Sequence, residues 1–449
     1  MGWNDFLQEQ EIRINRTDEP LMGTVPLTGS KSESNRALLL NKLSGGRINV
    51  FNPSEADDTR LMAQALEQIR NDQSSSLTSI DVGPAGTVMR FMTAILAISK
   101  GNYILTGSDR MKQRPIGLLV QALQDLGARI TYTEKSGYPP LAIEGGFEQI
   151  TDEILIAGDV SSQYLSALLM IAPVLPRGLR LKIKGQLTSR PYLNMTLDML
   201  AQAGITHDWQ EDTISIKPQK FQAAALAIEP DWSAASYWYS LLALSQSGEL
   251  LLPGLRTDSL QGDRAIADIM QHFGISSSFS KEGVLIKKAG GESTGNPLLS
   301  AEKSLLDSEK SLPDTEIPLL DFTECPDLAQ TVIACAAALK KDISCTGLHT
   351  LRIKETDRIA ALQQEIAKFG VKLVDHNPIY HLQTDGWFQP EQLTIDTYED
   401  HRMAMAFAPL AHVFDRIHIK NPRVVEKSYP DFWVHLQTMG LQIIDLYKQ

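Results

Sequence analysis

One local pattern recurs along the chain and limits the folds open to it: an amphipathic helix, then an apolar residue, a glycine and a short β-like run. It is clearest at Gly127, Gly204, Gly274, Gly370 and Gly440. Glycine just past a helix accepts the left-handed conformation without a Cβ penalty. Consecutive glycines are 77, 70, 96 and 70 residues apart, and a weaker copy without the glycine lies at residues 57–82. The pattern predicts six α/β units of roughly 75 residues each.

The longest glycine spacing has an explanation in the sequence. Residues 288–313 are rich in Ser, Gly, Glu and Lys and lack clear periodicity. We therefore expect a surface insertion there, inside an otherwise regular unit. Six units divide most simply into two domains of three, with a crossover near residues 227–232, where Glu229-Pro230 interrupts the pattern.

Charge and targeting signals narrow the class of protein. The formal net charge of −12 over 449 residues argues against a general binder of nucleic acid or anionic membranes, since both need a broad basic surface. The three cysteines, Cys325, Cys335 and Cys345, form no C-x-x-C pair and are expected to be buried thiols. The start of the chain has no basic or apolar leader region, and no apolar run approaches the ~18 residues of a spanning helix. We expect a cytoplasmic protein.

Several segments concentrate cations, hydroxyls and glycines at predicted helix starts, where backbone N–H groups can bind anions. A capped, solvated helix start accounts for the first of them about equally well, and none has the spacing of a P-loop. Histidines without ligand spacing and the absence of G-x-S-x-G predict a site with no metal, no cofactor and no serine nucleophile. The segments are GSKSESNR (29–36), DVGPAGT (81–87), RMKQRP (110–115), GDVSSQ (158–163), TSRPY (188–192), RIKETDR (352–358), EDHRMAM (399–405) and the late cation Lys427.

These segments, with PDWSAASY and CPDLAQT, occur in one order across residues 29–408 and closely resemble the EPSP synthase family, the 3-phosphoshikimate 1-carboxyvinyltransferases. The resemblance implies two domains built as inside-out α/β barrels (the fold shared by enolpyruvyl transferases and RNA 3′-phosphate cyclases), each of three βαβαββ-type units. It implies a first domain at 29–229, a second at 1–28 and 230–449, and a hinge near residues 29 and 229.

The resemblance also implies the reaction. The enolpyruvyl group of phosphoenolpyruvate moves to the 5-hydroxyl of shikimate 3-phosphate by addition and elimination, giving 5-enolpyruvylshikimate 3-phosphate and phosphate. This step belongs to the shikimate pathway of chorismate and aromatic amino acid biosynthesis. The resemblance further implies a monomer that closes its domains over these two small substrates. Because the substrates carry two phosphates and two carboxylates, many cations must face one volume.

Site residues follow from the same resemblance, position by position. Asp327 matches the carboxylate that accepts the hydroxyl proton, Glu355 matches the group that moves the proton at C3, and Lys31 is a rival for that second role. The matching catalytic residues are Asp327, Glu355, Lys31, His401 and Lys427. The matching shikimate-3-phosphate ligands are Lys31, Ser32, Arg36, Ser161, Ser162, Gln163, Ser189, Tyr192, Asp327, Thr350 and Lys354. The matching phosphoenolpyruvate ligands are Lys31, Gly86, Arg114, Gln163, Arg358, Arg402 and Lys427.

The chain departs from the family pattern at three positions. Pro84 stands where many members have Asn, Phe91 replaces the Pro usual after Arg90, and Thr350 replaces an Asn that often touches shikimate phosphate. Gly86 is typical of members sensitive to glyphosate, a mimic of phosphoenolpyruvate, so we expect sensitivity.

Two alternatives remain open at this point. One is the UDP-N-acetylglucosamine enolpyruvyl transferase, which would need a loop cysteine near the donor site. The other is a catalytically silent paralogue that binds shikimate phosphate, which would need the cations but not Asp327 and Glu355. We further expect the cations to gather in the site while the carboxylates mostly cover the remaining surface.

Overall fold

The computed structural model describes residues 11–16, 18–69, 76–158, 161–185, 187–288 and 317–446. All but the first residue of the expected insertion at 288–313 therefore lies outside the described residues.

The described residues form strands and helices in alternation, as the repeat predicts. The strands are β1 (Glu11–Asn15), β2 (Leu21–Thr24), β3 (Ile48–Phe51), β4 (Leu77–Asp81), β5 (Gly101–Thr106), β6 (Arg129–Tyr132), β7 (Leu141–Gly145), β8 (Glu153–Ala157), β9 (Leu179–Lys184), β10 (Asp208–Gln210), β11 (Thr213–Ile216), β12 (Ala224–Ala227), β13 (Gly248–Pro253), β14 (Ile275–Phe279), β15 (Gly283–Lys288), β16 (Leu319–Asp321), β17 (Ile343–Thr346), β18 (Lys372–His376), β19 (Ile379–Gln383), β20 (Leu393–Ile395), β21 (Arg416–Lys420) and β22 (Gln442–Asp445). The helices are α1 (Lys31–Leu43), α2 (Asp57–Glu67), α3 (Gly86–Ile98), α4 (Gly117–Leu126), α5 (Ser162–Ile171), α6 (Arg190–Gln202), α7 (Trp232–Leu244), α8 (Ile266–Ile269), α9 (Ala329–Ala338), α10 (Arg358–Ala367), α11 (His401–Phe407) and α12 (Phe432–Thr438). Short 3₁₀ turns that bear on the site are Met111–Gln113, Pro326–Leu328, His349–Ile353 and Pro422–Lys427.

Five four-stranded sheets share one topology. In each, two parallel strands lie side by side, and an antiparallel strand separates them from the remaining one. The orders are β4-β5-β7-β6, β8-β9-β11-β10, β2-β13-β15-β14, β16-β17-β19-β18 and β20-β21-β1-β22, and a sixth sheet pairs β3 with β12. Five of the sheets correspond to the five glycine-bearing units of the repeat. The sixth unit differs from the prediction, because the strand-like run that ends at residue 82 is β4, which belongs to the sheet of the Gly127 unit, and the sixth sheet is the β3–β12 pair.

The glycines of the repeat adopt the predicted backbone. Gly127, Gly204, Gly274, Gly370 and Gly440 all have positive φ, between 79° and 115°. One unit differs from expectation: the segment before Gly274 ends as a 3₁₀ turn, Met270–Phe273, after the four-residue helix α8. The glycine keeps its left-handed conformation there, so the turn into β14 does not depend on a full α-helix.

Buried apolar residues form two separate cores. The first draws on residues 37–228, and the second draws on residues 12–27 together with 232–443. In the first, α3 and α5 pack against each other, and nearly every side chain of both helices is buried. In the second, α7, α9 and α11 are the enclosed helices. Helices that are apolar on all sides must be buried on all sides, and the sheets pack around them. We call the residues around these cores the first half and the second half.

The chain passes between the halves twice, and the two passages lie side by side. Gly29 and Pro230 form an isolated antiparallel bridge. Ser30 N donates to Glu229 O at 2.8 Å, and Asp231 N donates to Thr28 O at 2.9 Å. Helices α1 and α7 begin directly after these passages.

Candidate active site

A cavity of about 600 Å³ lies between the two halves and is lined by both. Five helices of ten or more residues, α1, α3, α4, α5 and α10, have their first residue in its wall. A helix N-terminus presents unsatisfied N–H groups and the positive end of the helix dipole, which favour anions. The dipoles of these five helices therefore favour negative charge in the cavity.

The structure brings together in this cavity the site residues expected from the sequence, with one exception. Lys427 does not line the cavity but lies behind Glu355, with its Nζ 3.2 Å from Glu355 Oε1 and 3.1 Å from the Pro84 carbonyl oxygen. Those that line it are Lys31, Ser32, Arg36, Gly86, Arg114, Ser161, Ser162, Gln163, Ser189, Tyr192, Asp327, Thr350, Lys354, Glu355, Arg358, His401 and Arg402.

Hydroxyl and amide groups cover one side of the cavity. Ser161 caps α5 by accepting Gln163 N at 3.4 Å, and the Gln163 side-chain amide donates to Thr87 Oγ1 at 2.9 Å. The hydroxyls of Thr188 and Thr350 are buried with no hydrogen-bond partner among the described residues. Buried hydroxyls rarely stay without a partner, so a polar ligand would complete this side.

Arg36 is more deeply embedded in protein than its assignment as a ligand suggests. It is 2% exposed, and its Nε and Nη2 donate to Thr196 Oγ1 and Ser166 Oγ at 2.8 and 2.9 Å. Nη1 donates to Ser32 O at 2.9 Å, and a longer contact runs from Nη2 to Tyr192 O at 3.4 Å. A guanidinium has five N–H groups, which leaves one for a ligand when partners among the described residues are counted. Its plane also packs against the Phe91 ring, 5.5 Å from the centroid.

Asp327 lies at the centre of the cation cluster. Its Oδ1 is 2.9 Å from Arg358 Nη1 and 3.5 Å from Lys354 Nζ, and its Oδ2 is 3.0 Å from Arg402 Nη2. Burial alone would raise the pKa of Asp327, but Arg402, Lys354 and Arg358 hold it well below its ordinary value. Asp327 is therefore ionised at neutral pH.

Glu355 is the second carboxylate held by cations. Its Oε2 is 3.0 Å from Arg358 Nη2, and its Oε1 lies 3.6 Å from Arg114 Nη1 as well as near Lys427. Burial would raise the pKa of Glu355, but Lys427, Arg114 and Arg358 hold it well below its ordinary value. The two carboxylates face each other across Arg358.

Arg358 owes its orientation to a residue that sequence reasoning did not select. Asp400, which is fully buried, accepts from Arg358 Nε at 2.7 Å and from the Arg402 backbone N at 2.9 Å. It thus caps α11 and fixes the guanidinium on α10. The acidic residue just ahead of an apolar helix was the available signal, since Asp is a preferred N-cap.

His401 faces the cavity with both ring nitrogens buried and without a hydrogen-bond partner among the described residues. Burial lowers the pKa of His401 well below its ordinary value, and the charges of Lys31, Arg402 and Lys427 lower it further. The imidazole is therefore neutral, able to donate through one nitrogen and accept through the other.

Gly86 allows two arginines to meet at the start of α3. A Cβ at this position would lie 2.5 Å from Arg90 Nη1 and 2.6 Å from Arg114 Nη1. Arg90 was noted in the sequence but not assigned to the site, although it lines the cavity. Burial, together with the neighbouring charge of Arg114, lowers the pKa of Arg90 to about 10.

The cavity also holds a carboxylate that sequence reasoning did not assign to it. Asp58 lines the cavity beside the expected Asp327 and Glu355, and its Oδ2 is 3.2 Å from Lys31 Nζ. Lys354 lies in the bend before α10, which begins at Arg358. A dense, buried cluster of cations needs compensating negative charge.

Within the described part of the chain, no group of three or more His, Cys, Asp or Glu side chains is arranged to hold a metal ion. No helix of these residues is long and apolar enough to cross a membrane.

Comparisons with known proteins agree with one another. The family model for EPSP synthase (3-phosphoshikimate 1-carboxyvinyltransferase) matches residues 15–436. The 3-phosphoshikimate 1-carboxyvinyltransferase of Bacteroides fragilis is 43% identical, covering 94% of this chain and 96% of the relative. That of Shewanella woodyi is 35% identical, covering 94% and 98%.

Solved structures show the same fold. The EPSP synthase from Acinetobacter baumannii superimposes with a TM-score of 0.73 at 19% identity, covering 97% of this chain and 99% of that one. The enolpyruvyl transferase NikO from Streptomyces tendae has a TM-score of 0.68 at 11% identity, covering 98% and 99%.

The family model and the relatives at 43% and 35% identity show that the chain is an enolpyruvyl transferase. Within that class, the chain belongs to the EPSP synthase family. The predictions of an inside-out α/β fold, of this family and of an enzyme that transfers enolpyruvyl groups are thereby confirmed.

The three cysteines bear on the alternative nucleotide-sugar enzyme. Cys325, Cys335 and Cys345 are all buried, as predicted, and none of them lines the cavity. The thiol that this alternative would need near the donor site is therefore not in the wall of the cavity.

Proposed function

We propose that this cavity binds shikimate 3-phosphate and phosphoenolpyruvate together and transfers the enolpyruvyl group to the 5-hydroxyl of the first. The observation that carries the proposal is the meeting of hydroxyls, cations and two ionised carboxylates in one volume of about 600 Å³. The cations would hold the phosphates and carboxylates of the substrates. Asp327 and Glu355 are the groups in that volume that could exchange protons with the substrates.

The hydroxyl side suits shikimate 3-phosphate. Ser161, Ser162 and Gln163 stand at the N-terminus of α5, where the helix dipole and backbone N–H groups favour a phosphate. Ser189, Tyr192, Lys31 and the N–H left on Arg36 would surround the sugar-like ring and its phosphate. On the facing wall, Thr350, Lys354 and Asp327 would reach the remaining hydroxyls and the carboxylate.

The opposite side suits phosphoenolpyruvate. Arg114, Arg358 and Arg402 converge there, with Gln163, Lys31 and the N-terminus of α3 at Gly86 beside them. Lys427, now paired with Glu355, would turn to the ligand. Phosphate and carboxylate groups accept paired N–H donors from guanidinium, which fixes the donor substrate in one orientation.

The ion pairs of the site suggest how the two carboxylates become reactive. Asp327 and Glu355 pair with the cations around them. Substrate anions would compete for Arg358, Arg402 and Lys427, so the pKa values of both carboxyl groups would rise. Asp327 then accepts the proton of the 5-hydroxyl as this oxygen attacks C2, and Glu355, protonated once its pKa has risen, gives its proton to C3. The neutral His401 can hydrogen-bond a developing charge.

The second step reverses the proton movement at C3. The tetrahedral intermediate loses a C3 proton as the C2–O bond to phosphate breaks, which leaves the enol ether product and free phosphate. Lys31 is the alternative to Glu355 as the acceptor of this proton. It is the first residue of α1, and its Nζ pairs with Asp58.

We propose the domains as residues 29–229 and residues 1–28 with 230–449, hinged near 29 and 229. The paired passages at Gly29 and Pro230 support this division. We expect small-angle scattering to show compaction when shikimate 3-phosphate and glyphosate are added together, because both halves contribute ligands. Identical profiles with and without the ligands would count against closure.

Glyphosate should inhibit this enzyme in competition with phosphoenolpyruvate. The arginines beside Gly86 approach the backbone so closely that a side chain at this position would displace them. Because this chain has glycine there, both arginines keep the positions in which they could bind phosphoenolpyruvate or glyphosate. Steady-state turnover unaffected by millimolar glyphosate would contradict this expectation.

The monomeric state and the cytoplasmic location expected from the sequence stay predictions.

The proposed function is tested by phosphate release from phosphoenolpyruvate that depends on shikimate 3-phosphate. Release without shikimate 3-phosphate but with UDP-N-acetylglucosamine would favour the alternative transferase. Tight binding of shikimate 3-phosphate without release would favour a silent paralogue.

A further inference from the structure

Arg110 makes a contact across the cavity that the proposed roles do not use. It belongs to the first half and lies next to the 3₁₀ turn Met111–Gln113. Its Nε donates to the carbonyl oxygen of Glu355 at 2.8 Å, and its Nη2 donates to the carbonyl oxygen of Lys354 at 3.3 Å. Both acceptors belong to the second half, so one guanidinium bridges two consecutive peptide groups of the facing half.

The segment that Arg110 holds has little backbone support of its own. Lys354, Glu355 and Thr356 form a bend between the turn His349–Ile353 and α10. Among the described residues, no backbone–backbone hydrogen bond is found for the carbonyls of Lys354 and Glu355. The two carbonyls flank the Cα of Glu355, so binding them fixes the peptide planes on both sides and hence the direction of its Cα–Cβ bond. The cations around Glu355 then hold its carboxylate.

We propose that Arg110 is a positioning residue, a latch that orients the Lys354–Glu355 backbone only while the two halves are together. This inference rests on the proposed role of Glu355 and on domain closure. When the halves separate, both hydrogen bonds break, and the bend that carries Glu355 loses its support. Closure thus completes the proton-transfer geometry as well as enclosing the substrates, since sub-ångström placement of a proton donor affects rate steeply.

Lys112 supplies a matched control in the same turn. Its Nζ pairs with Glu134 Oε1 at 3.0 Å, within the first half, and both side chains are substantially exposed. Lys112→Gln therefore removes one positive charge two residues from Arg110 without touching the facing half. Exposed pairs of this kind contribute little to stability.

The experiment compares Arg110→Gln, Arg110→Lys and Lys112→Gln in the full chain. We expect Arg110→Gln to lower kcat by about 10- to 100-fold, with deuterium exchange into C3 of phosphoenolpyruvate falling in parallel. Affinity for shikimate 3-phosphate alone should stay within about threefold, and ligand-induced compaction in scattering should weaken. Arg110→Lys, which keeps the charge but not the fork of donors, should fall between Arg110→Gln and wild type.

Failure of the Arg110 proposal can be distinguished from failure of the proposed function. Wild-type turnover with an inactive Glu355→Gln variant supports the function whatever Arg110 does. If Arg110→Gln turns over within about twofold of Lys112→Gln, the latch is overturned and the function stands. If Arg110→Gln folds poorly, Arg110→Lys decides. A Lys variant with wild-type kcat and C3 exchange per folded molecule would overturn the proposal, whereas reduced exchange at unchanged affinity for shikimate 3-phosphate supports it.

Discussion

Replacing Asp327 with Asn should lower kcat by roughly 10³-fold, within the range that loss of a general base produces, while affinity for shikimate 3-phosphate changes by less than about threefold. The isosteric amide keeps the shape of the side chain but cannot accept the 5-hydroxyl proton. It also removes the negative charge that now faces Arg358, Arg402 and Lys354. Binding of substrate anions should therefore not weaken, and the loss should appear in turnover.

Calorimetric titration with shikimate 3-phosphate and steady-state phosphate release measure the two quantities separately. Asp321→Asn is the matched control, because Asp321 is an exposed carboxylate of the same half whose hydrogen-bond partner among the described residues is the nearby Thr323. An Asp327→Asn variant that loses affinity and turnover in equal measure would show that Asp327 binds the substrate and does not transfer its proton.

Glu355→Gln should abolish proton exchange at C3 and lower kcat by roughly 10²- to 10⁴-fold. The amide cannot carry the proton, although it can still accept a hydrogen bond from Arg358. The measurement is deuterium incorporation into phosphoenolpyruvate in heavy water with shikimate 3-phosphate present. This substitution also separates the two candidates for the C3 proton, since Lys31 lies beside Asp58 rather than Glu355.

Glu134→Gln provides the control for Glu355, because Glu134 is a half-exposed carboxylate paired with Lys112. Undiminished exchange in Glu355→Gln would assign the proton to Lys31. Loss of exchange with normal binding of shikimate 3-phosphate would assign it to Glu355.

The fold was predictable because its signal is local. A glycine directly after a helix is favoured because it adopts the left-handed conformation without steric cost. All five glycines of the repeat have this conformation. The short helix α8 was not predictable in the same way, because the turn before Gly274 is set by packing rather than by the glycine. Propensity is a weak guide where tertiary contacts decide the helix type.

The membership of the site was also largely predictable, but its pairing was not. The resemblance places Arg358 and Asp327 in one pocket. The contact between Arg358 and Asp400, however, joins residues 42 positions apart, and the only sign of Asp400 in the sequence is its position as a helix cap. Asp58 was missed for a similar reason. The expected set of site residues included Asp327 and Glu355 but not Asp58, whose Oδ2 lies 3.2 Å from Lys31 Nζ and adds to the compensation that buried cations need.

The most direct test of this account is release of phosphate from phosphoenolpyruvate by the purified, folded chain, with and without shikimate 3-phosphate. We predict release that requires shikimate 3-phosphate, matches the formation of an enol ether at its 5-oxygen, and is lost in Asp327→Asn. No release in the presence of both substrates, or equal release without shikimate 3-phosphate, would contradict it.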